Sequence, residues 1–213
     1  MAKKKESYEN MMERLEEIVD VMDGNYVENF GMGLQDIGYI CKKSNIDVEA
    51  HLMIMNPELH IKKFFELGVD IIYFHPDTSK HPAHVIEQIQ NYGMKAGIVL
   101  NPESSIEMVS QLFKIADYAM VMCVNPGFSG NKYLPYIEEK IENISKIKDI
   151  NNIEISIDGG CSKDVITKMS RLGVNRYVLG TTALFGLDRA YNDIFDELRK
   201  IWGVGYCECS DWK

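Results

Sequence analysis

The chain has 213 residues, 46% of them hydrophobic, which is enough for one domain with a full core. Its net charge of −9 argues against nucleic acid as the main partner, and any bound phosphate must then be held by local backbone dipoles rather than by a basic surface. No apolar run reaches membrane-spanning length, the charged start Met1-Ala-Lys-Lys-Lys-Glu has no apolar segment behind it, and the five scattered cysteines read as free thiols, so a cytoplasmic, membrane-free protein is expected.

Residues 7–17 read as a helix. A strand over Ile18–Met22 follows and meets the turn Asp23-Gly24-Asn25. From about residue 46, strand and helix alternate. Strands are expected at Asp47–Ile54, Asp70–His75, Lys95–Leu100, Tyr118–Val124, Ile153–Ile157 and Tyr177–Gly180. Helices are expected at Glu58–Leu67, Pro82–Tyr92, Ser105–Ile115, Leu134–Lys148, Lys163–Leu172 and Leu187–Trp202, several of them ending on a capping glycine. No composition shift marks a linker, so residues 1–213 read as a single domain.

Seven such units favour a parallel sheet, either a (β/α)₈ barrel or a doubly wound open sheet. The polar residues Asp20, His51, His75, Asn101, Asn125, Asp158 and Thr181 fall at or just after strand ends. In a barrel these ends converge on one mouth, which favours the barrel. There Asp and His together suit a divalent Zn, Mn, Fe or Co ion. Asp23, just before Gly24, reads better as a turn cap than as a site residue. Met22, Met53 and Met122 are equally readable as core filling or as a soft wall around a reactive centre.

The run Val121–Gly130 breaks from an apolar strand into a glycine-rich loop, an arrangement that offers backbone N–H groups to an anion. Gly159-Gly160 and Gly180-Thr181 follow the next two strands. Loops after the last barrel strands are the usual phosphate grip.

Together these motifs resemble the ribulose-phosphate 3-epimerases and the related allulose-6-phosphate 3-epimerases. The matching pieces are Asp20-Val-Met-Asp-Gly24, His51-Leu-Met53, Phe74-His75, Met94-Lys-Ala-Gly97 with Leu100-Asn-Pro102, Val121–Gly130, Ile157-Asp-Gly-Gly160 and Gly180–Phe185. They occur in the family's order, from about Asp20 to Trp202. His75-Pro-Asp-Thr78 and Gly180-Thr-Thr-Ala-Leu-Phe185 lean toward the allulose-phosphate branch. The resemblance implies a phosphosugar-binding TIM (β/α)₈ barrel and a metal-dependent epimerisation at C3 of a 2-keto sugar phosphate, either D-ribulose 5-phosphate to D-xylulose 5-phosphate or D-allulose 6-phosphate to D-fructose 6-phosphate. It assigns Asp20 and Asp158 as the acid–base pair, and Asp20, His51 and Asp158 as ligands of one divalent ion. Met22, Met53 and Met122 become the sulfur-rich wall, and Gly127, Gly130, Gly159, Gly160, Gly180 and Thr181 the phosphate-contacting loops. It also implies a homo-oligomer.

The sequence departs from the family at two places. Ile18 stands where the motif His-x-Asp-x-Met-Asp-Gly has a histidine ligand. The family's first strand, with its site-lining Ser, is not found before Asp20, so the barrel is expected to lack that strand, to have little strand before Asp20 and to carry two unpaired sheet edges. These departures support an alternative: a degenerate barrel that binds sugar phosphates without turning them over. A decarboxylase of the orotidine-phosphate type is a weaker alternative, because Asp20-Val-Met-Asp23 lacks the lysine of its Asp-x-Lys-x-x-Asp array. The ending Gly203–Lys213 resembles nothing in the family.

Overall fold

A computed structural model describes residues 17–151, 153–185 and 187–205. Residues 7–16 of the expected N-terminal helix over 7–17 and the end of the chain beyond Gly205, with Cys207 and Cys209, lie outside the described residues, and Glu17, the last residue of that expected helix, is in a strand instead. Among those described, seven strands lie in one sheet in sequence order. They are β1 (Glu17–Met22), β2 (Val48–Met53), β3 (Ile71–Phe74), β4 (Lys95–Leu100), β5 (Tyr118–Met122), β6 (Glu154–Asp158) and β7 (Arg176–Tyr177). The helices are α1 (Leu34–Lys43), α2 (Ile61–Leu67), α3 (Pro82–Asn91), α4 (Ile106–Val109), α5 (Ile137–Asn151), α6 (Lys163–Ser170) and α7 (Tyr191–Gly205). No described helix is long and apolar enough to cross a membrane. The chain divides into two compact units, the first ending at Ile98 and the second starting at Val99.

In the first unit, β1 to β4 pair in parallel, each with the next. Parallel strands carry helices on their faces and are buried on both, so they read as continuous apolar runs. β3, Ile71-Ile-Tyr-Phe, is buried at every position, and so is β2 despite Glu49 and His51. Helix α2 stops at Gly68, whose φ of 92° places it in the left-handed region that a Cβ disfavours.

β1 is longer than expected. It forms six residues of strand and pairs along its whole length with β2, from Glu17–Val48 to Met22–Met53. Its other edge is partly covered. Asp23 and Phe30 make an antiparallel bridge, the Gly31 N–H donates to the Met22 carbonyl, and the Met32 N–H donates to the Asp20 carbonyl, both at 3.2 Å. A Cβ at Gly31 would lie 2.5 Å from the Asp20 carbonyl oxygen and 2.8 Å from the Met22 nitrogen. Both are backbone atoms, so they cannot swing aside. Gly31→Ala is therefore expected to cost about 1–3 kcal/mol of stability, seen as a lowered urea midpoint. An unchanged midpoint would mean that the 29–32 segment is not held against β1.

In the second unit, β5, β6 and β7 pair in parallel. The Ser162 side chain caps α6 by accepting from the Val165 N–H at 3.3 Å. Lys140 on α5 donates to the carbonyls of Asn101 and Pro102 and pins the loop after β4. The last strand is shorter than the sequence suggests: regular pairing ends at Tyr177, with Val178 N–H adding one bond to Ile157. The Gly180 carbonyl then takes the N–H groups of Ala183, Leu184 and Phe185 in a turn.

Two further differences concern helices. α1 is absent from the sequence reading, and of its residues only Ile37 and Gly38 are buried. The expected helix at Ser105–Ile115 is two short pieces, α4 and a 3₁₀ turn at Leu112–Lys114.

Candidate active site

The alternation of side chains along a strand sorts the candidate residues. On β1, Ile18, Asp20 and Met22 share one face, and on β2 so do Glu49, His51 and Met53. The parallel register sets Asp20 beside His51 and Met22 beside Met53. The first unit thus builds a row of one carboxylate and one imidazole with two thioethers one step further along the strands. The Asp20 Oδ1 lies 3.0 Å from His51 Nδ1. His51 is fully buried, whereas the Asp20 side chain is 49% exposed, so the pair opens to solvent from the carboxylate side.

The other ring nitrogen of His51 meets His75, the second strand-end histidine of the Asp and His set that the sequence offers for a divalent ion. His51 Nε2 lies 3.0 Å from His75 Nε2. His75 follows β3 directly and is also fully buried. Burial, and then the neighbouring His51, pushes its pKa well below the usual histidine value, so the ring is neutral. The Tyr26 ring packs 4.8 Å from His75, and its hydroxyl donates to the Asp77 carboxylate at 3.1 Å. Period-two spacing with Tyr73 is the sequence signal that would have put His75 on the His51 side.

Asp23 is a turn residue, as its place before Gly24 suggests. Oδ1 accepts from the N–H groups of Asn25 and Tyr26, and Oδ2 accepts from the Met55 N–H at 2.8 Å. Burial works to raise its pKa, but the donors at Met55, Tyr26 and Asn25 outweigh it and hold the carboxyl below its ordinary value. It ties the loops after β1 and β2 together and is fully committed to that task.

In the second unit, β5 and β6 place Met122 and Asp158 side by side in register at their carboxyl ends. Beyond them lie the glycine loops. Gly127, Gly130, Gly159 and Gly160 all have positive φ, at 107°, 83°, 96° and 64°. At Gly159 a Cβ would also strike the Val124 side chain at 2.4 Å, so the residue is needed for packing as well as for conformation. The Asn131 side chain donates to the Asn125 carbonyl at 2.8 Å and closes the loop that carries Gly127 and Gly130. Ser129 and Thr181 approach within 3.5 Å through their hydroxyls, so this loop and the one after β7 are neighbours. Gly180 has no atom within 4 Å of where a Cβ would be. The two buried thiols, Cys123 and Cys161, and the part-buried Cys41 are free.

Strand order, helix alternation and strand-end polar residues define a parallel α/β barrel-type protein. Solved structures agree on the fold. The chain is similar to 3-hexulose-6-phosphate synthase from Salmonella typhimurium, with a TM-score of 0.67 at 15% identity over 91% of this chain and 97% of that one. It is similar to phosphoribosyl anthranilate isomerase from Thermococcus kodakaraensis, with a TM-score of 0.61 at 14% identity over 87% of each.

Sequence comparison narrows the class. The model of the ribulose-phosphate 3 epimerase family matches residues 2–185. The ribulose-phosphate 3-epimerase of Aquifex aeolicus is 35% identical over 184 residues, 85% of this chain and 81% of that protein. Its counterpart in Bacillus subtilis is 31% identical over 174 residues, 80% of each. The chain belongs to the ribulose-phosphate 3-epimerase family, whose named members are isomerases.

Proposed function

We propose that this chain inverts C3 of a 2-keto sugar phosphate, D-ribulose 5-phosphate or D-allulose 6-phosphate, with Asp20 and Asp158 as the two proton-transferring carboxylates. The observation that carries this is the Asp20–His51 pair at 3.0 Å on adjacent strands with Met22 and Met53 next along the same faces. Family membership supports the reaction class.

The C3 proton is acidic because it lies next to the C2 carbonyl, and its loss gives an enediolate. Inversion needs a base on one face of C3 and an acid on the other. Asp20 ends its job on one face as the protonated acid or the ionised base, depending on direction, and Asp158 does the converse. Both stand near the carboxyl ends of parallel strands, which in a barrel fold form the active-site mouth. Met22, Met53 and Met122 offer a polarisable surface that excludes water without competing for the proton. The backbone N–H groups of the loops at Gly127–Gly130, Gly159-Gly160 and Gly180-Thr181 hold the phosphate, which an acidic chain must bind by dipoles rather than by lysines.

The donor set of the first unit fits a divalent cation. A carboxylate oxygen and an imidazole nitrogen 3.0 Å apart have about the spacing of two adjacent ligands on an ion with ~2.1 Å bonds. Asp20 and His51 would hold it together with Asp158. When bound, such an ion offsets the negative charge that develops on the substrate oxygens as the proton leaves.

Ile18 lies on the Asp20 face of β1, two residues before it. An aliphatic side chain there donates nothing to a metal. Ile18→His is expected to tighten Zn²⁺ binding about tenfold, measured by competition with a chromophoric chelator, within the range typical of ligand-shell changes. No gain would mean that position 18 does not face the ion.

The reaction itself is tested by incubating ribulose 5-phosphate, and separately allulose 6-phosphate, with the protein in D₂O. Deuterium entering C3 of one of them, with inverted product, is the expected result. Tight phosphosugar binding without exchange from either would support the second reading, a binding barrel, which Ile18 favours.

A further inference from the structure

We infer that His75 is a positioning residue for His51, taking the hydrogen bond from its Nε2–H so that the Nδ1 lone pair is left to face a bound cation. This rests on the reading of Asp20 and His51 as metal ligands.

The geometry first excludes the other role His75 could play, as a replacement ligand for the missing histidine at position 18. Two nitrogens sharing one ion converge on it at an angle, so their rings are bent toward each other. Here the ring planes differ by 27° and the centroids are 5.2 Å apart, with the two Nε2 atoms 3.0 Å apart. The centroid separation is the N···N distance plus one ring radius at each end. The rings therefore point at each other edge to edge, which is the geometry of an N–H···N hydrogen bond.

That bond has one proton and two possible directions. If His75 donates, His51 carries no proton on Nε2, and as a neutral ring it must carry one on Nδ1, aimed at Asp20 Oδ1. In that tautomer Nδ1 is closed to a metal. If His51 donates, its Nδ1 is unprotonated and open. A cation at Asp20 and His51 is thus compatible with only one direction, His51 Nε2–H to His75 Nε2. His75 accepts at Nε2 when its own proton resides on Nδ1, which has no hydrogen-bond partner among the described residues. The His75 ring is held in place by the Tyr26 ring against it and by the Tyr26 hydroxyl anchored on Asp77. A carboxylate or carbonyl commonly plays this supporting part for a metal-binding histidine. Here a second buried histidine does so.

The test has two readouts, neither of them turnover. In the ¹⁵N-labelled protein saturated with Zn²⁺, histidine side-chain spectra are expected to show His51 protonated at Nε2 and His75 at Nδ1. A loaded spectrum with His51 protonated at Nδ1, or His75 at Nε2, overturns the inference. This needs no substitution, so it does not depend on a variant folding. The second readout is Zn²⁺ affinity. His75→Phe, which fills the space without accepting, is expected to bind about 10–100-fold more weakly, and His75→Gln, whose Oε1 accepts, to stay within about threefold of the parent. Equal affinity in the Phe variant and the parent overturns the positioning role. If the unsubstituted chain binds no Zn²⁺ at all, the metal reading of Asp20 and His51 fails first, a distinct result.

Discussion

Replacing Asp20 with Asn is expected to abolish epimerisation, with turnover falling about 10³-fold or more, while one half-reaction survives. General acid–base groups contribute roughly 10²–10⁴-fold each. Asn keeps an oxygen at the ligand position but cannot take a proton. In a two-carboxylate mechanism each C3 epimer presents its proton to a different residue. The epimer whose proton faces Asp158 should still exchange it with D₂O in the Asp20→Asn protein, returning as unchanged substrate with deuterium at C3. The other epimer should not exchange. Asp158→Asn should reverse the preference. Proton NMR of the two epimers in D₂O reads this directly. Loss of exchange from both epimers in one variant alone would point to a single shared base, and loss from both epimers in both variants to loss of the ion, which a Zn²⁺ titration of each variant checks. The reciprocal pattern is what a merely structural Asp20 could not produce.

The parts of this site differ in how far they were legible in the sequence. The strand-end residues were readable because a parallel strand is a short apolar run and any polar residue at its end stands out. β4 was located to the residue at Lys95–Leu100, bounded by Gly93-Met94 and Asn101-Pro102. Asp23 was readable as a turn cap from the glycine beside it, and the structure adds its long-range bond to Met55. Pairing partners were not readable. Nothing local says that residues 29–32 fold back on β1, because that contact is backbone to backbone and its only trace is a glycine at position 31. The same limit hid the His51–His75 contact, since parallel register places residues 24 positions apart within hydrogen-bond reach. β7 was overdrawn because Tyr177–Gly180 has strand-like composition, yet Gly180 uses its carbonyl to close a turn. Short helices such as α4 are set by packing against their neighbours, which a periodic pattern cannot anticipate.

The contribution of Glu49 to the stability of this chain is expected to fall as pH rises from about 4.5 toward 8, the opposite of the usual acidic-residue behaviour. Glu49 lies on β2 on the same face as His51, is 5% exposed, and sits in register between Ile18 of β1 and Ile71 of β3. Burial first, and then the charge of Asp47, raises its pKa from 4.5 to about 8. Between those two values the unfolded chain has lost this proton while the folded chain keeps it. The folded state then binds more protons, so unfolding becomes easier with each step in pH, by up to about 1.4 kcal/mol per unit. Above about 8 the carboxyl is ionised in both states and the slope from this group vanishes, leaving the full cost of a buried charge in place. Glu49→Gln keeps the shape and the hydrogen-bonding capacity without the charge. It should match the parent near pH 5 and exceed it by a few kcal/mol above pH 8, read as urea midpoints of the two chelator-treated proteins from pH 5 to 9. Parallel curves for parent and variant would show that Glu49 is ionised in the folded chain, with a compensating cation beside it. The effect also bears on the site, because Glu49 stands one step below His51 on the same strand face. A neutral Glu49 leaves Asp20 as the acidic partner of that histidine, whereas an ionised one would place negative charge behind the imidazole and compete for its proton.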